Sequence, residues 1–153
     1  MFIHEAMAKT ISTATPTDAV ATVAHMMKDD DCGFIPITDA DRLVGVVTDR
    51  DIVIRCLAED HADVLNERID RVMSAPAWTI DAGATVEEAA HVMAEHEVPR
   101  LPVMSNGKLV GVLSYGNLEQ AIHAEGPAAA EATLGVTRGA CLASGMWQDF
   151  GLV

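Results

Sequence analysis

Residues 3–56 lie over residues 69–122 at a constant offset of 66, without a gap, and twelve of the 54 aligned pairs are identical. The identities are Ile3/Ile69, Met7/Met73, Thr13/Thr79, Val20/Val86, Ala24/Ala90, His25/His91, Met27/Met93 and Pro36/Pro102, followed by the block Leu43-Val-Gly-Val46 over Leu109-Val-Gly-Val112. Many other pairs are conservative, among them Ile35/Leu101, Ile37/Val103, Arg42/Lys108, Thr48/Ser114 and Ile52/Leu118. A gapless repeat of this kind constrains the fold more than any other feature, because each copy must form the same unit of secondary structure. A unit of about 60 residues buries too little surface to be stable alone. The two copies are therefore expected to pack about a pseudo-twofold axis and cover each other's open faces.

One copy reads as strand, helix, hairpin, helix. Val20, Val23, Ala24 and Met27 recur at helical spacing, and Val86, Ala89, Ala90 and Met93 repeat the stripe. Phe34–Thr38 and Leu43–Val47 are β-rich runs joined by the turn-like Asp39-Ala-Asp-Arg42. Their counterparts are joined by Ser105-Asn-Gly-Lys108, in which Asn-Gly is a strong hairpin signal. Pro36 and Pro102 lack an amide hydrogen, so each belongs on a strand edge or at a strand opening. A second helix starts at Thr48 and runs through Ile52 and Val53 towards Cys56, and its counterpart starts at Ser114. The expected organisation is an α/β (α+β) fold: repeat 1 over 1–62, repeat 2 over 63–125, with the acidic connector 57–68 spanning their boundary, and an Ala/Gly-rich tail over 126–153. The tail is expected to bury little and to be flexible, with Trp147 and Phe150 its only aromatic side chains.

Charge narrows the partners. Ten Lys and Arg against 23 Asp and Glu give a net charge of −13, a surface that repels a phosphate backbone. No nucleic-acid partner is expected. The apolar runs Leu43–Val47 and Leu109–Leu113 are about a quarter of the length a bilayer helix needs, so no membrane partner is expected either. Three cysteines without framework spacing and no visible signal segment lead to the expectation of a cytoplasmic protein.

Two tandem β-α-β-β-α units, each with a Leu-Val-Gly-Val strand leading into a Thr- or Ser-started helix, resemble a pair of CBS domains, also called a Bateman module. Gly45-Val-Val-Thr-Asp-Arg-Asp51 is close to that family's ligand motif: Gly, two apolar residues, Thr or Ser, two variable residues, Asp. Gly111-Val-Leu-Ser-Tyr-Gly-Asn117 departs from it with Asn in the last position. The resemblance covers about residues 3–122, and the whole chain is similar to small stand-alone bacterial CBS-pair proteins. It implies a non-enzymatic regulatory module that binds an adenosine-containing ligand (AMP, ATP or S-adenosylmethionine), with no obligatory cofactor. It also implies a homodimer through the amphipathic helices. The alternative is a dimeric interaction or scaffold protein with vestigial clefts and an unknown protein partner.

The motif has a simpler reading as well. Thr-x-x-Asp at a helix start is a near capping box, in which Thr48 accepts from the amide three residues on and Asp51 sits in the positive first turn. For ligand binding, unpaired amides at the helix start attract phosphate, with the Thr48 hydroxyl and Arg50 guanidinium as further donors. Asp51 would repel phosphate, and a carboxylate suits the paired hydroxyls of a ribose. The resemblance implies this division and a cleft built crosswise, the Asp51 cleft being completed by Ala77, Trp78, Val98, Pro99, Arg100 and Pro102. Trp78 is read as a packing residue, and Arg100 either as a second cation or as an exposed surface residue. The other cleft would combine Ser114, Gly116 and Asn117 with Ile11, Phe34 and Pro36. It lacks counterparts of Arg50 and Arg100, because Gly116 and Phe34 stand there. Asn117 could bond a hydroxyl without charge assistance, so this cleft is expected to bind weakly or stay empty.

No catalytic set is visible: there is no Gly-x-Ser-x-Gly, no Gly-Lys-(Ser/Thr) phosphate loop and no His-Glu-x-x-His. His25 and His91 repeat at equivalent helix positions, but neither has metal-ligand spacing around it, and no metal site is expected. Cys32 and Cys56 occur in the first copy only, and the methionines read as core or interface fillers.

Overall fold

The computed structural model describes residues 1–128 together with 130, 131 and 133. Most of the tail, including Cys141, Trp147 and Phe150, lies outside the described residues. Two compact units form. One consists of Ile11–Ala77; the other combines Met1–Thr10 with the described residues from Trp78 on. Compactness and duplication therefore divide the chain at different points, because the leading segment of each copy joins the body of the other.

In the unit Ile11–Ala77, helix α2 (Val20–Asp29) buries Val20, Val23 and Met27. Ala24, expected on the same stripe, is exposed, whereas Ala90 is buried. Strands β1 (Phe34–Asp39) and β2 (Arg42–Thr48) form an antiparallel hairpin. Its turn residues Ala40 and Asp41 both have positive φ, 46° and 64°. β2 carries one extra residue at Val44, where the register shifts between Ile37 and Thr38. A short helix α3 (Asp49–Ile52) follows and passes into a wider π-helical turn, Val53–Leu57. The connector is not featureless: Val64–Asn66 make a 3₁₀ turn, and Val64 packs on the core of Val23, Ile35, Ile37, Val47, Cys56, Ile69 and Val72.

The other unit repeats this plan. Helix α4 (Val86–His96) buries Val86, Ala89, Ala90 and Met93, and starts from a Thr85–Glu88 capping box. Strands β4 (Arg100–Ser105) and β5 (Lys108–Ser114) turn at Asn106 and Gly107, φ 49° and 75°, the geometry that Asn-Gly favours in a two-residue hairpin. The two-residue strand β3 (Ile80–Asp81) pairs in parallel with Val103 and Met104. Pro102 lies one residue before that ladder, so its missing amide hydrogen costs no strand pairing. Helix α5 (Tyr115–Glu125) buries Leu118, Ala121 and Ile122, and Ala130 beyond it is also buried against this core, which the expectation of a tail that buries little does not cover.

The leading segment of each copy is a helical turn, Ile3–Ala6 (α1) and the 3₁₀ turn Ile69–Arg71, and the strand expected before the first helix is seen in the second copy as β3. The reason for the turns is local. Ile69, Val72 and Met73, like Ile3, Ala6 and Met7, place their apolar side chains three and four residues apart, which turns one face of a helix inward. The pairing with a strand comes two or three residues after each turn. Ser74 exchanges two backbone hydrogen bonds with Val46 (3.0 and 2.8 Å), and Ala8 does the same with Val112 (2.9 and 3.0 Å). This contact explains the repeated glycine. A Cβ built on Gly45 would meet the Met73 sulfur at 2.7 Å and the Ser74 carbonyl oxygen at 2.8 Å; on Gly111 it would meet the Met7 sulfur at 2.5 Å and the Ala8 carbonyl at 2.7 Å.

Candidate functional site

The first motif closes on itself as a reciprocal capping box. Thr48 is extended (φ −113°, ψ 160°) and caps α3. Its hydroxyl accepts from the Asp51 amide at 3.1 Å, and its own amide donates to Asp51 Oδ2 at 2.9 Å. The Asp49 amide donates to the Gly33 carbonyl at 3.2 Å, and the Arg50 amide donates to Asp49 Oδ1 at 2.8 Å. The expectation of unpaired amides waiting for a phosphate therefore fails for Asp49, Arg50 and Asp51. Asp49, which the motif leaves unspecified, supplies its own carboxylate to the helix start and brings a negative charge with it. What remains for an anion is the hydroxyl hydrogen of Thr48 and the exposed guanidinium of Arg50.

Asp51 is differently placed. Its side chain is only 15% exposed, and besides the cap it forms an ion pair from Oδ1 to Arg55 Nη2 at 3.4 Å. A carboxylate offers about four lone-pair sites. The cap takes one on Oδ2 and Arg55 takes one on Oδ1, so each oxygen keeps one acceptor position. Two adjacent acceptors match the two donors of a vicinal diol. Arg55 lies outside the motif, although its i, i+4 distance from Asp51 is a signal for such a pair. Its Nη1 donates to the Val72 carbonyl and to Ser74 Oγ, both at 3.0 Å.

The second motif has the same backbone and the opposite polarity. Ser114 caps α5, accepting from the Asn117 amide at 3.1 Å. Asn117 Oδ1 accepts from the Ser114 amide at 3.2 Å and from the Ser114 hydroxyl at 2.6 Å. Both lone pairs of that oxygen are then used, and what Asn117 has left to offer is its NH₂ group, a donor. The expected hydroxyl contact by Asn117 thus changes direction: the side chain can donate to a hydroxyl oxygen but cannot accept from a diol. The Arg50 and Arg55 positions are Gly116 and the buried Ala121, so no side chain of this motif carries a charge.

The remaining predicted residues fall as follows. Ala77, Ile11 and Phe34 belong to the same unit as Thr48, Arg50 and Asp51. Phe34 is buried at the opening of β1 opposite Thr48, and buried Pro36 follows with its carbonyl accepting from Ala14 at 3.1 Å. Trp78, Val98, Pro99, Arg100 and Pro102 belong to the unit of Ser114 and Asn117. Arg100 opens β4 opposite Ser114, half-buried, and the Pro99 carbonyl accepts from the Tyr115 amide at 2.8 Å. Trp78 is not a packing residue. It is 54% exposed, and its indole lies flat on the His96 ring, centroids 3.5 Å apart and planes 2° from parallel.

His25 and His91 are both exposed on their helices, and His25 Nδ1 turns back to the Ala21 carbonyl at 2.6 Å. Among the described residues no group of three His, Cys, Asp or Glu side chains is arranged to hold a metal ion. Cys32 is half-buried, whereas Cys56 is fully buried, and loss of hydration, helped by the nearby Glu67 carboxylate, pushes its thiol pKa up. No helix among the described residues is long and apolar enough to cross a membrane.

A duplicated β-α-β-β-α unit with a capped helix after each second strand defines a class. The CBS-domain family model matches residues 3–57 and 69–124, and the chain belongs to that family. The protein YlbB of Bacillus subtilis is 36% identical over 118 residues, covering 76% of this chain and 78% of that protein. The crystal structure of Hypoxic Response Protein I with two coordinated zinc ions is 31% identical with a TM-score of 0.72, covering 78% of this chain and 98% of that one. The fold is also that of CBSX2 in complex with AMP, at a TM-score of 0.69 and 23% identity, covering 81% of this chain and 97% of that one.

Proposed function

We propose that this chain is a non-catalytic regulatory module that binds an adenosine-containing ligand, AMP, ATP or S-adenosylmethionine, through the first-repeat motif. The observation that carries the reading is Asp51: a shielded carboxylate, held by the Thr48 amide and Arg55, with one acceptor position left on each oxygen. A ribose diol fits that pair. The Thr48 hydroxyl and Arg50 supply donors for the group beyond the ribose, and an AMP complex of a protein with the same fold supports the ligand class. Asn117 offers its NH₂ as a donor, Ser114 has spent its hydroxyl hydrogen on Asn117 Oδ1, and neither carries a charge, which makes the second motif a poor ribose site. Isothermal titration of AMP, ATP and S-adenosylmethionine tests the reading, with Asp51→Ala and Arg100→Ala alongside. Binding of at least one ligand, abolished by Asp51→Ala, is expected. No binding of any, or equal binding by Asp51→Ala, overturns it.

One observation favours a second reading, a homodimer through the helices that serves protein interaction. Val53, Ile54 and Leu57 are each about half-exposed on one turn, and their counterparts are Glu119, Gln120 and His123. The fold accepts polar residues at those positions, so the apolar set is not required by the core. Sedimentation of wild type against Ile54→Glu tests it: a dimer that the substitution dissociates supports the reading, and a monomeric wild type rejects it.

A further inference from the structure

We infer that Arg55 is the positioning residue of the first motif, fixing the Asp51 carboxylate for a ribose and joining it to the leading segment of the second repeat. The inference rests on the proposed adenosine-ligand reading and adds a residue that the family motif does not contain. One guanidinium makes three contacts from two nitrogens: Nη2 to Asp51 Oδ1 at 3.4 Å, and Nη1 to the Val72 carbonyl and to Ser74 Oγ at 3.0 Å each. Ser74 is itself locked to Val46 by two backbone hydrogen bonds, so the far end of the bridge is anchored on β2. Arg55 is thus held through Nη1 while Nη2 meets Asp51, and with the Thr48 amide on Oδ2 and Arg55 on Oδ1 each carboxylate oxygen has its own partner.

The duplication supplies an internal comparison. In the second copy Asn117 replaces the acid and Ala121 stands at the position of Arg55. There the side-chain oxygen swings onto the Ser114 hydroxyl at 2.6 Å. In the first copy, among the described residues, the corresponding oxygens contact only the Thr48 amide and Arg55, and the Thr48 hydroxyl donates to neither of them. Without Arg55, Asp51 is expected to relax as Asn117 does, taking up the Thr48 hydroxyl on Oδ2, so that both remaining acceptor positions fall on Oδ1 and the side-by-side pair that matches the diol is lost. The carboxylate and the arginine function together.

The test is discrimination rather than affinity alone. Wild type, Arg55→Met and Arg55→Lys are titrated with AMP and with 2′-deoxy-AMP. A hydrogen bond to a charged group is worth roughly tenfold or more in affinity, so wild type is expected to prefer AMP by about that factor. Arg55→Met is expected to bring the ratio close to one while the protein stays folded. Arg55→Lys, which keeps the charge but loses the fork, is expected to fall between. Amide hydrogen exchange over residues 72–74 gives a second readout: AMP slows it in wild type and leaves it unchanged in Arg55→Met. An undiminished AMP preference in both variants overturns the role of Arg55 while leaving the adenosine-ligand reading intact. Failure of wild type to bind either nucleotide overturns that reading, and this inference with it.

Discussion

Gly45→Ala should destabilise the protein far more than an added methyl group ordinarily does. The φ of Gly45 is not in the left-handed region, so alanine meets no backbone strain there; the cost comes from space. The new Cβ would lie 2.7 Å from the Met73 sulfur and 2.8 Å from the Ser74 carbonyl oxygen. A methionine end can move aside, but the carbonyl is backbone and is fixed by its own hydrogen bond to the Val46 amide at 3.0 Å. Relief therefore means displacing the leading segment. Overpacking costs about 1–3 kcal/mol, and loss of the two Val46–Ser74 hydrogen bonds adds about 0.5–1.5 kcal/mol each. The sum, roughly 2–6 kcal/mol, is a large part of the about 5–15 kcal/mol that holds a domain folded. Urea unfolding followed by circular dichroism measures it, and a Tm lower by about 4 °C or more should accompany it. Gly33→Ala is the control: its Cβ would meet the Asp49 carboxylate at 2.5 Å, the movable end of an exposed side chain, and should cost below about 1 kcal/mol. Gly45→Ala with the stability of wild type, or no less stable than Gly33→Ala, would refute the argument that the segment's close approach demands glycine.

Three further outcomes are expected. Replacing Ala40-Asp41 by Asn-Gly, the pair the second hairpin uses at the same φ values, should stabilise the fold by about 1 kcal/mol, read as a higher urea midpoint; no gain would show that the first turn is not strained. The raised Cys56 pKa has a definite sign: the folded state keeps the thiol protonated where the unfolded state has lost its proton, so stability is unaffected below the ordinary value of 9.0 and falls as pH rises above it. Cys56→Ala should flatten that alkaline fall in thermal melts taken from pH 8 to 11, and an unchanged slope would assign it to other groups. Native Cys32 should react with a maleimide reagent well before Cys56, which needs denaturant; equal rates would contradict the burial of Cys56.

Much of the fold is written in local spacing. The gapless duplication shows when the chain is laid over itself at an offset of 66, and the Asn106-Gly107 turn, the helix stripes and the caps at Thr48 and Ser114 each link residues within four positions of one another, so a linear reading can reach them. The family, too, follows from the Gly45–Asp51 motif, since a capped helix after a glycine-bearing strand needs nothing distant to define it. The site is legible only in outline. Asp51 and Thr48 are visible as a pair, but the fate of the three amides at the helix start depends on Asp49 folding back and on the Gly33 carbonyl, which the β1 opening brings across.

What only the tertiary structure decided is long-range. Residues 72–74 belong by sequence to the second repeat, yet they lie against Gly45 and Val46 of the first, and this contact alone gives Arg55 its two further partners. Trp78 likewise pairs with His96, eighteen positions away, where the sequence reading expects a packing residue. Chain direction and hydrophobic period set the shape of each element, but they carry no information about which body a connecting segment will cover. That is decided by which exposed strand edge and which glycine-floored surface the folded neighbour presents.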